Sequence, residues 1–281
     1  MRLRSLRSAI ALVAISSAYT TIALLPVGAL SPNAALTAAC GVALAAGMVV
    51  VTGWMPVSRG ARFGVWFALV FLNLAAVAVE GTLFAPAAAP PSWLAANLVR
   101  LLVAAVAVAG LASALLGTKD GIAGPAAPNR SLPGWLWRLL AAAAIYVVLY
   151  LIIGGLNYTF VTRPYYETHA GSLTVPPAQT IFLYEPVRGL LMALSALPLT
   201  LALRLRTSLV AVVTGAMLFV AGGLIPLLPQ TSLPLYLRMA SLWEIFGQNF
   251  LTGAACAYLY VGSRQAVRRG RPQARRLAGL P

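Results

Sequence analysis

Apolar residues gather into eight long runs, separated by short polar or Pro- and Gly-rich stretches. The runs cover residues 8–30, 34–56, 62–85, 93–117, 135–160, 178–203, 207–228 and 235–262. Each is near the ~20 residues that a helix needs to cross the hydrocarbon of a bilayer. A segment in lipid must satisfy its own backbone hydrogen bonds, so apolar runs of this length read as helices. The pattern predicts an all-α, polytopic transmembrane bundle of about eight spans, one integral membrane domain over residues 1–281 with a basic tail at 263–281. Most connections are short. Two are longer: 118–134, a Gly- and Pro-rich surface loop, and 161–177, which holds Tyr165, Tyr166, Glu167 and His169.

Basic residues in the connections alternate. Arg2, Arg4 and Arg7 precede the first run, Arg59 and Arg62 lie in the second connection, Lys119 and Arg130 in the fourth, Arg204 and Arg206 in the sixth. Six arginines between Arg264 and Arg276 follow the last run. The first and third connections have none, the fifth only Arg163, and the seventh none before Arg238. Basic connections stay in the cytoplasm, which places both termini there. The basic start followed by an apolar run resembles a secretory signal peptide, and residues 36–40 faintly resemble a lipoprotein cleavage box. The run is long enough to span, and Thr37 stands three before Cys40, so an uncleaved first helix is expected.

Composition agrees with lipid as the solvent. Hydrophobic residues make up 60% and charged residues 9% of the chain, with a mean hydropathy of +0.87. A soluble domain has about 25% charged residues. The net charge of +15 would suit a nucleic-acid binder, but the basic residues flank apolar runs instead of sharing a basic face. The expected partner is the lipid bilayer, with no nucleic acid; oligomeric state is not readable from the sequence. Nineteen arginines against one lysine, with abundant Ala, Gly and Pro, match a GC-rich prokaryotic genome and point to a bacterial cytoplasmic membrane. Cys40 and Cys256 fall at different depths and read as small packing residues.

Six ionisable residues fall inside the runs: Glu80, Arg100, Glu185, Arg188, Arg238 and Glu244. Each costs roughly 2.5–3.5 kcal/mol at mid-membrane, so they should face the bundle interior, pair, or line water. At ~1.5 Å per residue, all six fall within roughly the outer 15 Å of the bilayer. Asn97 and Asn157 join them at that level, and Asn97 lies one turn from Arg100 as Glu185 does from Arg188. Ser241, Glu244 and Gln248 form another stripe. Pro186, between Glu185 and Arg188, predicts a kink or break that frees backbone carbonyls.

One histidine and two separated cysteines argue against a metal centre or haem, and no cofactor is expected. The chain has no His-Glu-x-x-His, Gly-x-Ser-x-Gly or phosphate-loop motif. Three chemistries remain. The arginines could bind a small anionic or amphiphilic ligand, with Glu80, Asn97, Arg100, Asn157, Glu185, Arg188, Arg238 and Glu244 as the site and His169 as a loop contributor. A carboxyl such as Glu185 or Glu244 could act as general acid or base on a lipid or polyprenyl-type substrate. Or three glutamates and three arginines could close on one another as structural ion pairs in a protein of assembly. Binding or transport is the leading expectation.

Overall fold

The structure is a computed structural model that describes residues 2–26, 32–87, 89–116, 129–169 and 173–262. Lys119, most of the connection 118–134 and the basic tail at 263–281 lie outside the described residues. Among those described there are eight long helices and no strand: α1 Arg2–Ala23, α2 Ala34–Thr52, α3 Arg59–Phe84, α4 Pro91–Leu115, α5 Leu132–Glu167, α6 Ala178–Ala202, α7 Thr207–Leu227 and α8 Leu235–Val261. Their starts follow local chemistry. Asn33 Oδ1 accepts from the Leu36 amide at 3.0 Å, and Ser58 and Ser131 likewise cap α3 and α5.

The helices depart from the apolar runs in three places. α1 stops at Ala23 and not near residue 30, because Pro26 lacks a donor and disfavours helical backbone at Leu25. α5 runs on past residue 160 through two wide π-helical turns, Tyr150–Gly154 and Tyr158–Thr162, and a last piece Arg163–Glu167 with Pro164 in its first turn. Tyr165, Tyr166 and Glu167 are therefore helical, and the connection expected over 161–177 is shorter. α6 passes through Pro186 without a break. Proline removes one hydrogen bond, but opening the helix in lipid would strand further backbone groups at several kcal/mol each. Instead, the irregular turns lie in α5 and at Val220–Leu224 of α7.

Seven of the helices, α1 to α7, are long and apolar enough to cross a membrane. α8 is as long as any of α1 to α4, but Arg238, Glu244, Gln248 and Asn249 make it more polar. Large apolar side chains face outward: Phe160 is 78% exposed, Leu183 76% and Trp243 71%. Water would not tolerate such a surface on one domain, and lipid does. The chain is a multi-pass membrane helix bundle.

α3 stands between α4 and α6; α1 packs on α2 and α4; α8 packs on α7, α5 and α6. Contacts between helix ends sort them into two faces. On one, the Thr174 amide donates to Phe84 O, and the Asn33 amide to Pro229 O. On the other, the Arg204 amide donates to Trp54 O, Arg62 Nη1 to Ser113 O at 3.5 Å, and Arg138 Nε to Leu259 O at 3.0 Å. The half of the bundle near the second face is closed by small residues. A Cβ on Gly253 would sit 2.6 Å from Gly215 Cα, and one on Gly215 2.6 Å from Phe250 O, so α7 and α8 meet backbone to backbone.

Candidate functional site

All six of the charged residues singled out in the apolar runs lie in the half of the bundle near the first face, where a cavity of about 650 Å³ opens among α1, α3, α4, α5, α6, α8 and the ends of α2 and α7. Glu80, Asn97, Arg100, Arg188 and Glu244 line it. Asn157, Glu185, Arg238 and His169 do not.

On the floor, Arg188 of α6 is 2% exposed and donates through Nη1 to Glu80 Oε1 of α3. Its guanidinium also lies 5.5 Å from the Tyr146 ring centre, an arrangement that suits a desolvated cation. Glu185, one turn earlier, is 1% exposed and does not line the cavity. Tyr146 Oη donates to Glu185 Oε2 at 2.9 Å, while Oε1 has no hydrogen-bond partner. Tyr184 Oη donates to Ala76 O, tying α6 to α3 beside this floor.

On one wall, Arg100 of α4 donates from Nη1 to Ala23 O at 2.9 Å and Leu25 O at 3.1 Å, and from Nη2 to Asn97 Oδ1 at 2.6 Å. Its charge caps the open carbonyls at the end of α1, where a cation complements the helix dipole. A guanidinium has five N–H donors; after these three bonds one Nη2 donor remains, together with Nε, which is buried without a partner. Arg238 has a similar capping role at the end of α7, donating to Leu228 O at 2.8 Å.

On the opposite wall, Glu244 of α8 accepts from Asn157 Nδ2 at 2.5 Å and from Gln248 Nε2 at 3.0 Å. Gly154, in the first wide turn of α5, leaves room for this carboxylate: a Cβ there would be 2.9 Å from Oε1. Tyr150, which starts that turn, and Tyr166 complete the wall.

The balanced set of three ion pairs does not form. Among the described residues, salt bridges join only Arg188 to Glu80 and, on the exposed end of α5, Arg163 to Glu167 at 2.7 Å. Arg100 and Arg238 spend their donors on carbonyls because span ends offer unpaired acceptors in a medium without water. His169 caps the end of α5 in a left-handed conformation (φ 51°), its Nδ1 3.1 Å from Leu173 O. Among the described residues no three His, Cys, Asp or Glu side chains gather as for a metal. Tyr146, Tyr150 and Gly154 were not among the expected site residues. Spacings of four and seven put Tyr146, Tyr150 and Asn157 on one face of α5, a pattern present in the sequence.

No known protein family, curated protein or solved structure matches the chain.

Proposed function

We propose that the chain is a bacterial cytoplasmic-membrane protein that binds or transports a small anionic or amphiphilic ligand, held in the cavity between α3, α4 and α8. In this reading α8 is an eighth span, both termini are cytoplasmic, and the cavity opens toward the extracytoplasmic side. The alternating basic connections support that orientation. Wide turns beside charged side chains recur at functional sites in membrane helices.

One observation carries the reading: the cavity is lined by a cation and an anion, Arg100 and Glu244, neither in a salt bridge among the described residues. Charges kept only for packing would be expected to close on each other, as Arg188 and Glu80 do. Arg100 keeps one Nη2 donor beyond its three bonds, and a charged donor of this kind suits a carboxylate or phosphate. A volume of this size suits a small-molecule site.

Native mass spectrometry of the protein extracted from its own membrane tests this. Wild type should carry an adduct of small-molecule or lipid mass. Arg100→Gln should lose most of it and lower the unfolding temperature through its lost bonds to α1. Arg238→Gln, which removes the comparable cap on α7 outside the cavity, should lower that temperature and keep the adduct. An adduct-free wild type, or an adduct indifferent to Arg100→Gln, overturns the proposal. Recovery of the ligand chemically unchanged after passage separates transport from catalysis.

A further inference from the structure

We infer that the ligand is a zwitterion, with an ammonium group seated on Glu244 and an anionic group on Arg100. The inference rests on the reading of the cavity as a binding site and specifies what that site selects.

The Glu244 carboxylate is built into its wall. Asn157 and Gln248 each give one amide donor to a different oxygen, and Gly154 supplies the space beside Oε1. Both oxygens act as acceptors, and no acceptor is bonded to either of them among the described residues. The three residues that touch it are neutral, so they fix the group in place, and the nearby Arg188 is already paired with Glu80. A carboxylate has about four lone-pair sites, and two stay open here. Tyr150 and Tyr166 line the same wall, and aromatic faces beside a carboxylate recognise organic ammonium groups.

Arg100 stands across the cavity. Its helix, α4, packs on α1 and α3, whereas α8 packs on α5, α6 and α7. Between the two walls lies the Glu80–Arg188 pair, already neutralised. A purely anionic ligand would answer Arg100 and leave Glu244 unmatched, next to a second negative charge. A purely cationic one would leave Arg100 unmatched. A dipolar ligand answers both walls at once, and its own charges stay separated by the cavity.

A phosphate–ammonium zwitterion could arrive as a lipid headgroup or as a free small molecule. Two competition pairs distinguish these sources, using the full chain purified in detergent. The first offers equimolar phosphatidylethanolamine and phosphatidylglycerol, read by native mass spectrometry. The second compares O-phosphoethanolamine with glycerol 3-phosphate, read by ligand-dependent thermal unfolding. The zwitterionic member should win by about tenfold or more in one pair, as expected for one charge-assisted hydrogen bond. A win in the first pair assigns the headgroup, and a win in the second assigns the free compound. Glu244→Gln sets an amide N–H against the Asn157 or Gln248 donor and so lowers the unfolding temperature somewhat. It should erase that preference while both phosphate-bearing members still bind, whereas Arg100→Gln should weaken every phosphate-bearing probe. Equal binding of anion and zwitterion, or a preference that survives Glu244→Gln, overturns the zwitterion and leaves the anion site standing. No probe bound, together with an adduct-free wild type, overturns the cavity reading and the zwitterion with it.

Discussion

The two halves of this bundle solve the problem of polar groups in lipid differently. In the cavity half, six charged side chains meet three kinds of partner: one carboxylate, amides and a phenol, and the open carbonyls of span ends. In the other half the helices touch closely, neutral side chains bond to one another, and the basic residues at the face, Arg62 and Arg138, donate to helix-end carbonyls. Asn73 Nδ2 donates to Ser195 Oγ at 2.8 Å, Trp66 Nε1 to Thr52 Oγ1 at 3.2 Å, and Gly215 meets Gly253 directly. Close backbone contact leaves no room for a ligand, so the open space, and the glutamates beside it, lie in one half. Buried charge is tolerated there only where it is bonded or faces the cavity.

That contrast can be broken in order of cost. Arg188→Ala leaves Glu80 without its cation and Glu185 without its neighbour, and should cost about 3–5 kcal/mol in unfolding of the detergent-solubilised protein. The double change Glu80→Gln with Arg188→Met should recover most of that loss, which shows that the single variant's damage comes from the stranded carboxylate. In the closed half, Gly215→Ala should cost roughly 1–3 kcal/mol by forcing α7 and α8 apart, seen as a lower unfolding temperature. Ser195→Ala removes one neutral acceptor and should cost about 0.5–1.5 kcal/mol by the same measurement. Arg163→Ala, at the solvent-exposed end of α5, should produce no measurable change, since both partners there remain hydrated. A cavity half that tolerated Arg188→Ala as well as the closed half tolerates Ser195→Ala would erase the distinction between the halves.

Much of the bundle was legible because lipid imposes one rule, a helix for every long apolar run, and the runs sit close to α2, α3, α4, α6, α7 and α8. Ends were less legible. The extension of α5 to Glu167 needed two wide turns, and such turns have no apolar period of their own. The early stop of α1 was readable at Pro26, but apolar Val27 to Leu30 masked it in a hydropathy pattern. In the site, the gathering of Glu80, Arg100, Arg188 and Glu244 in one half followed from counting residues along each helix. Their partners did not. Spacing says which residues share a face, but not whether an arginine will choose a carboxylate or the open end of a neighbouring helix. Glu185 shows the limit: it shares a helix with Arg188, yet it accepts from Tyr146 and does not line the cavity.

The arginine caps also constrain how the chain is made. Arg100 reaches back to the end of α1, a segment already synthesised when α4 emerges, so its acceptors are waiting. Arg138 is different. Its acceptor, Leu259 O, lies 121 residues further on, in the last helix. Until α8 is threaded into place, a cation at the start of α5 lacks the acceptor it holds in the finished fold. A chain that ends before α8 therefore has Arg138 bonded within its own helix, to Gly134 O at 2.6 Å, and not yet tied to the end of the bundle's last helix.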